Sequence, residues 1–132
     1  MSGDLAVQKA LYGALSALGL RVVDRGAQAS DGGSPVDFPY VEVGFIVMNP
    51  YDTASETGFD YLARIHTRSR SGSMAETKAI QGQIYDRLHR GQMIVTGFNH
   101  ILIQRERSEV LDGPDGQFHG VCEYRGLIER QP

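Results

Sequence analysis

The residues of this sequence that could do chemistry are four histidines (His66, His89, His100 and His119), one cysteine (Cys122), and the carboxylates that interleave with arginine between Arg105 and Glu109. A zinc or iron centre needs three or four converging His, Cys or carboxylate ligands, which a sequence usually shows as short, fixed spacings. The histidines lie far apart, none has a Cys, Asp or Glu at such a spacing, and they read as surface or structural imidazoles. A nucleophilic thiol needs a charged, accessible neighbourhood. Cys122 sits between Val121 and Glu123 in a strand-like run, so a buried, inert thiol is expected. Gly32-Gly33 runs into Ser34-Pro35 with no lysine and forms no phosphate-cradling loop. Glu106 and Glu109 alternate with Arg105 and Arg107 as on a solvated or interfacial strand face held by cross-strand charge pairs. No catalytic, cofactor-binding or metal-binding residue is assigned, and no cofactor is expected.

One bias stands out: of the 13 basic residues, eleven are Arg and two, Lys9 and Lys78, are Lys. A guanidinium pairs carboxylate or phosphate in a planar, multidentate way and is enriched at protein interfaces, and a GC-rich genome accounts for the bias about as well. Against 16 acidic residues the net charge is −3 and the pI about 5.7, which argues against a dedicated nucleic-acid binder relying on phosphate neutralisation and leaves room for a local basic face. The 132 residues suffice for one domain, 1–132, and a 41% hydrophobic content supplies a core. No apolar run approaches the ~18 residues of a membrane span. A single cysteine and an N-terminus without a cationic, apolar leader predict a cytoplasmic protein with no membrane partner.

These residues must be positioned by a small set of elements. Val7, Ala10, Leu11, Ala14, Leu15 and Leu18 form a stripe that predicts an amphipathic helix over Asp4 to Leu18, stopped at Gly19. The Gly- and Pro-rich stretch Asp24 to Pro39 reads as a long loop. Tyr40 to Met48 predicts a strand with Val41, Val43, Phe45 and Val47 on one face and Glu42 and Gly44 on the other. After a loop over Asn49 to Glu56, Phe59, Tyr61, Ala63, Ile65 and Thr67 alternate with Asp60, Leu62, Arg64, His66 and Arg68 in an antiparallel strand. Ser73 and Glu76 form a capping-box pattern that starts a helix at Met74. Ile80, Ile84, Leu88 and Ala79 line its inner face, Lys78, Gln81, Gln83 and Arg87 its outer one, and Gly91 ends it. A brief strand over Met93 to Val95 precedes an extended run from Phe98 to Leu111, with Ile101 and Ile103 sharing a face opposite Leu102. Asp112-Gly113-Pro114-Asp115-Gly116 is a hairpin turn, and Gln117 to Glu129 returns beside the run. The order predicts an α+β fold, two helices packed on one face of a mostly antiparallel sheet.

Three segments in this order resemble the tail-completion, or tail-terminator, proteins of long-tailed phages and phage-derived particles. They are Phe38-Pro39-Tyr40-Val41 leading to Gly44, then Ser69-Arg70 with Gly72, Glu76 and the helix through Leu88, and finally Gly97 through Asp115-Gly116 to Tyr124-Arg125 and Leu127. The opening helix with Ala10-Leu11-Tyr12 extends the similarity over nearly the whole chain, although many members carry Trp where this chain has Arg68. The resemblance implies a structural protein rather than an enzyme. It implies a homo-oligomer, a hexameric ring at the head-proximal end of the tail tube in the neck of the virion, assembled in the host cytoplasm. Such a ring stops tube polymerisation and meets both the tail tube protein and the head-tail connector protein, while DNA passes through without specific binding. The alternatives are another neck component, a connector or stopper, or a small ligand-binding module or enzyme whose pocket His66 and His100 would line. The expected subunit or tube interface comprises Arg64, Arg68, Arg70, Arg105, Arg107 and Glu106, and the loops over Asp24 to Pro39 and Asn49 to Glu56 are expected to order against a partner.

Overall fold

A computed structural model describes residues 2–24, 38–53, 56–70, 73–113 and 116–131. The first stripe folds as α1 (Gly3–Ser16), burying Ala6, Val7, Leu11, Ala14 and Leu15. Gly19 supplies the stop with a φ of 81°, a backbone conformation that costs glycine little. β1 (Val22–Asp24) pairs in parallel with β2 (Tyr40–Pro50), which pairs antiparallel with β3 (Gly58–Ser69). Most of the expected long loop, residues 25–37, lies outside the described residues. The second expected loop is shorter than anticipated because Asn49 and Pro50 continue β2 opposite Asp60 and Phe59; residues 54–55 lie outside the described residues.

α2 (Met74–Leu88) begins where expected, the Ser73 hydroxyl accepting from the Ala75 N–H at 3.3 Å. The Ser69 hydroxyl donates to Glu76 Oε1 at 2.6 Å and fastens the helix start to the end of β3. Its inner face differs from the predicted one: Ala79 is exposed, while Thr77 and Gln81 are buried beside Ile80, Ile84 and Leu88. Gln81 fits because it lies over Gly120, whose missing side chain leaves room for the amide, and its Nε2 donates to the Glu109 carbonyl at 3.1 Å. The left-handed residue at the helix end is Arg90, φ 59°, rather than Gly91. Met93 to Val95 form no strand; Val95 makes a single bridge to Phe98.

β4 (Phe98–Asp112) and β5 (Phe118–Arg130) complete a five-stranded sheet of order β1-β2-β3-β5-β4, with every pair except β1–β2 antiparallel. Gly116, at a φ of 72°, serves the expected turn. Both helices pack on one face of the sheet around a core that includes Leu11, Leu15, Val41, Val43, Tyr61, Ile65, Ile84, Leu88, Ile103, Tyr124 and Ile128. This is the predicted α+β architecture.

Strict alternation fails at three bulges. On β2 both Gly44 and Phe45 stand opposite Arg64, since Val43 pairs Ile65 and Ile46 pairs Ala63. The extra residue inverts the following side chains, so Ile46 and Met48 pack against the core while Phe45 and Val47 are 54% and 52% exposed. On β4, Ile101 is the additional residue between His100 and Leu102, which leaves it exposed while Ile103 is fully buried. The third is Glu106, inserted between Arg105 and Arg107.

Candidate functional site

The face of the sheet opposite α1 and α2, which carries no helix among the described residues, is built from β2, β3, β4 and β5, and alternation in β3 places Asp60, Leu62, Arg64, His66 and Arg68 on it, opposite the buried Tyr61, Ala63, Ile65 and Thr67. Register then decides which charges meet. Arg64 lies across from Glu123, and its Nη2 donates to Glu123 Oε2 at 3.0 Å. Arg107, facing Glu123 from the other side, reaches it at 3.5 Å and Glu109 at 2.7 Å. Arg125 bridges two carboxylates, Asp60 at 2.9 Å and Glu106 at 2.8 Å. Arg68 Nε lies 3.8 Å from Glu42. The expected cross-strand pairing is present, and these partners belong to the same chain. Four guanidinium groups share five carboxylates, so the face is close to neutral.

The remaining two expected interface residues sit elsewhere. Arg70 lies at the margin, its guanidinium carbon 4.6 Å from the centroid of the Phe38 ring. Alternation from Ile103 keeps Arg105 on the helix side, where it stacks 4.3 Å over Tyr85 while its backbone N–H donates to His89 Nδ1 at 3.1 Å, and the Glu106 bulge returns Arg107 to the open face. Between α2 and β4 a groove of about 570 Å³ is lined by Met74, Lys78, Tyr85, Arg105, Glu109 and Val110, among others.

His66 and His100 line no common pocket. His66 is on the open face, where its Nδ1 lies 2.7 Å from His119 Nε2 with the rings stacked at 4.9 Å. His100 is on the helix side, its Nε2 3.1 Å from the Tyr61 hydroxyl. This histidine pair was not legible in the sequence, because 53 residues separate its members and only the β3–β5 register joins them. Among the described residues no three His, Cys, Asp or Glu side chains come together as a metal-ligand set. Cys122 is buried, as expected, and burial pushes its thiol up to about 11, far from a reactive thiolate. Among the described residues no helix is long and apolar enough to cross a membrane.

The His66–His119 pair gives the open face a pH dependence. Burial first, then the positive field of Arg68 and the neighbouring His66, hold His119 down at about 4, against an ordinary value of 6.5; Glu42 and Glu109 oppose this weakly. With a folded value below the unfolded one, the unfolded chain takes up more protons as the solution acidifies. The contribution to stability is therefore complete above about pH 6.5 and falls away towards about pH 4. Urea unfolding at neutral and mildly acidic pH is expected to show this loss, and His119→Gln is expected to reduce the slope.

The chain matches the family described as Tail completion protein gp17 over residues 5–129. It belongs to that family. The tail-completion match takes in all five strands and both helices nearly entirely, and it makes the protein a structural component of a phage tail. A solved chain from the virion of a native gene transfer agent particle has the same fold, with a TM-score of 0.79 and 17% identity, covering 97% of this chain and 98% of its own. A second solved chain superposes with a TM-score of 0.52 at 15% identity, covering 100% of this chain and 98% of its own. No curated protein matches this chain.

Proposed function

We propose that this tail-completion protein forms a hexameric ring at the head-proximal end of the tail tube, in the neck of the virion, where it stops tube polymerisation and presents the surface that the head-tail connector meets. The supporting observation is a sheet with α1 and α2 packed on one face, whose other face presents a mosaic of arginine–carboxylate pairs satisfied within the chain. Such a face can meet a polar protein surface without stranding a charge. Arg64, Arg68, Arg107 and Glu106 are assigned to subunit or tube contact on that face, with Arg70 at its margin and Arg105 reaching the groove beside α2. The near balance of charge also suits DNA passing through a ring without being held, because retention would need a surplus of cations.

The role is structural, with neither reaction nor cofactor. Of the side chains whose protonation is strongly displaced, Tyr61, Cys122 and Tyr124 are buried in the core, while His119 lies on the opposite, open face beside His66. Assembly would take place in the host cytoplasm.

Electron microscopy of particles produced without the protein tests the assignment. Tails that grow well past the normal length are expected. Tails of normal length that fail to join heads would instead make the chain a connector or stopper, and normal, infectious particles would remove it from the neck altogether.

A further inference from the structure

We infer that adjacent copies join through two small patches of opposite charge at one end of the sheet, one beside each edge: Ile94 with Arg90, and Tyr51 with Asp52 and Glu56. The inference rests on the ring reading above and says which surfaces close it.

The first patch follows α2. Ile94 is 91% exposed although its neighbours Met93 and Val95 are 7% and 2% exposed. The segment is held: the Arg90 N–H donates to the Ile103 carbonyl at 2.7 Å, Arg87 Nη1 to the Gln92 carbonyl at 3.1 Å, and Val95 bridges Phe98. An isoleucine is thus displayed on a fixed turn, and none of the ion pairs among the described residues engages the adjacent Arg90. The second patch is the turn between β2 and β3. Tyr51 is 60% exposed there, and Asp52 and Glu56 form no ion pair among the described residues. Crowding of negative charge is felt locally, because Glu129 on the neighbouring β5 has its carboxyl pushed above the ordinary range, first by a hydrogen bond with Glu56.

Each patch pairs an exposed apolar side chain with unneutralised charge, and the signs are opposite. Their placement also fits. Thr57, in the second turn, accepts from the Arg130 N–H at 2.8 Å, and Gly97, in the first, accepts from the Gln131 N–H at 3.0 Å. Consecutive residues at the end of β5 therefore hold Thr57 and Gly97 at the same level of the sheet, with Arg90, tied to Ile103 opposite Gly126, four β5 positions further along. The strand order sets β2 and β4 three strand spacings apart, about 14 Å. Unlike patches on opposite flanks fit a head-to-tail contact, the kind that generates a ring when its rotation closes, and native mass separates it from a two-fold dimer, which can also pair unlike patches.

The test uses the full chain at low salt, with assembly followed by native mass spectrometry and folding by melting temperature. Arg90→Glu makes both patches negative, and the double change Asp52→Arg, Glu56→Arg makes both positive. All three positions are exposed, so the melting temperature is expected to hold. Each variant alone is expected to need at least about tenfold more protein to assemble, because like charges now face each other. An equal mixture of the two is expected to assemble at wild-type concentrations in alternating order. Normal assembly of either variant alone would overturn the proposed contact and leave the ring intact, as would failure of the mixture to recover. A wild-type chain that stays monomeric at millimolar concentration would overturn both the contact and self-assembly of the ring.

Discussion

Replacing Gly126 by alanine is expected to destabilise the protein by about 3 kcal/mol, the upper part of the range for forcing an extra methyl into a packed core. Gly126 lies on β5 between Tyr61 of β3 and Ile103 of β4, on the face that meets the helices. The Tyr61 ring lies against it, and an added Cβ would fall inside van der Waals contact with the ring and its hydroxyl. Tyr61 cannot swing away, since it is fully buried and its hydroxyl is tied to His100. For a domain of this size the loss corresponds to a fall of roughly 10 °C in melting temperature. Adding Tyr61→Leu to Gly126→Ala should cost less than the sum of the two single changes, because the clash disappears with the ring. Gly126→Ala melting with the wild type would mean that the ring does not lie over the glycine.

The second large effect separates two isoleucines of identical chemistry. Ile84, on the inner face of α2, is fully buried in the core, and truncation to alanine is expected to cost about 3 kcal/mol through lost burial and the cavity left behind. The same change at Ile94, 91% exposed, should alter the stability of the monomer by less than about 0.5 kcal/mol. Denaturant unfolding of both variants checks the pair. A cost at Ile94 comparable to that at Ile84 would show that the turn after α2 packs inward in solution.

Sequence periodicity revealed the elements and most of the core, and it did so wherever the backbone is regular. The stripe through Val7, Leu11 and Leu15, the Ser73 cap and the twelve-residue alternation of β3 are regular repeats, and each was legible. The misassignments at Phe45, Val47 and Ile101 share one cause. A bulge shifts alternation by a single residue, and nothing in Val-Gly-Phe-Ile or His-Ile-Leu marks the position of the shift. Gly44 was the available hint, since a glycine within a strand often accompanies a bulge. Gln81 was misplaced for a different reason: its burial depends on Gly120, a contact made across 39 positions of sequence. For the open face, sequence gave the correct side for Arg64, His66 and Arg68. It could not supply the partners Glu123, His119 and Glu42, which are fixed by register between strands far apart in the chain.

The two bulges on β4 bear on shape as well as on side-chain direction. β4 spends 15 residues opposite the 13 of β5, so the edge strand is longer by the two inserted residues, a contour excess of roughly 7 Å at about 3.3 Å per residue. Paired ribbons of unequal length bend towards the shorter, as the outer lane of a curved track exceeds the inner. The edge strand is thereby bowed and strongly twisted, and a bowed strand offers a poor straight template for another strand to add alongside it. The α2 end reinforces this by occupying the Ile103 carbonyl and the Arg105 amide with Arg90 and His89. Curvature built into one edge thus keeps a long strand from zipping onto stray chains during tail assembly, and leaves side chains rather than backbone to choose the neighbour.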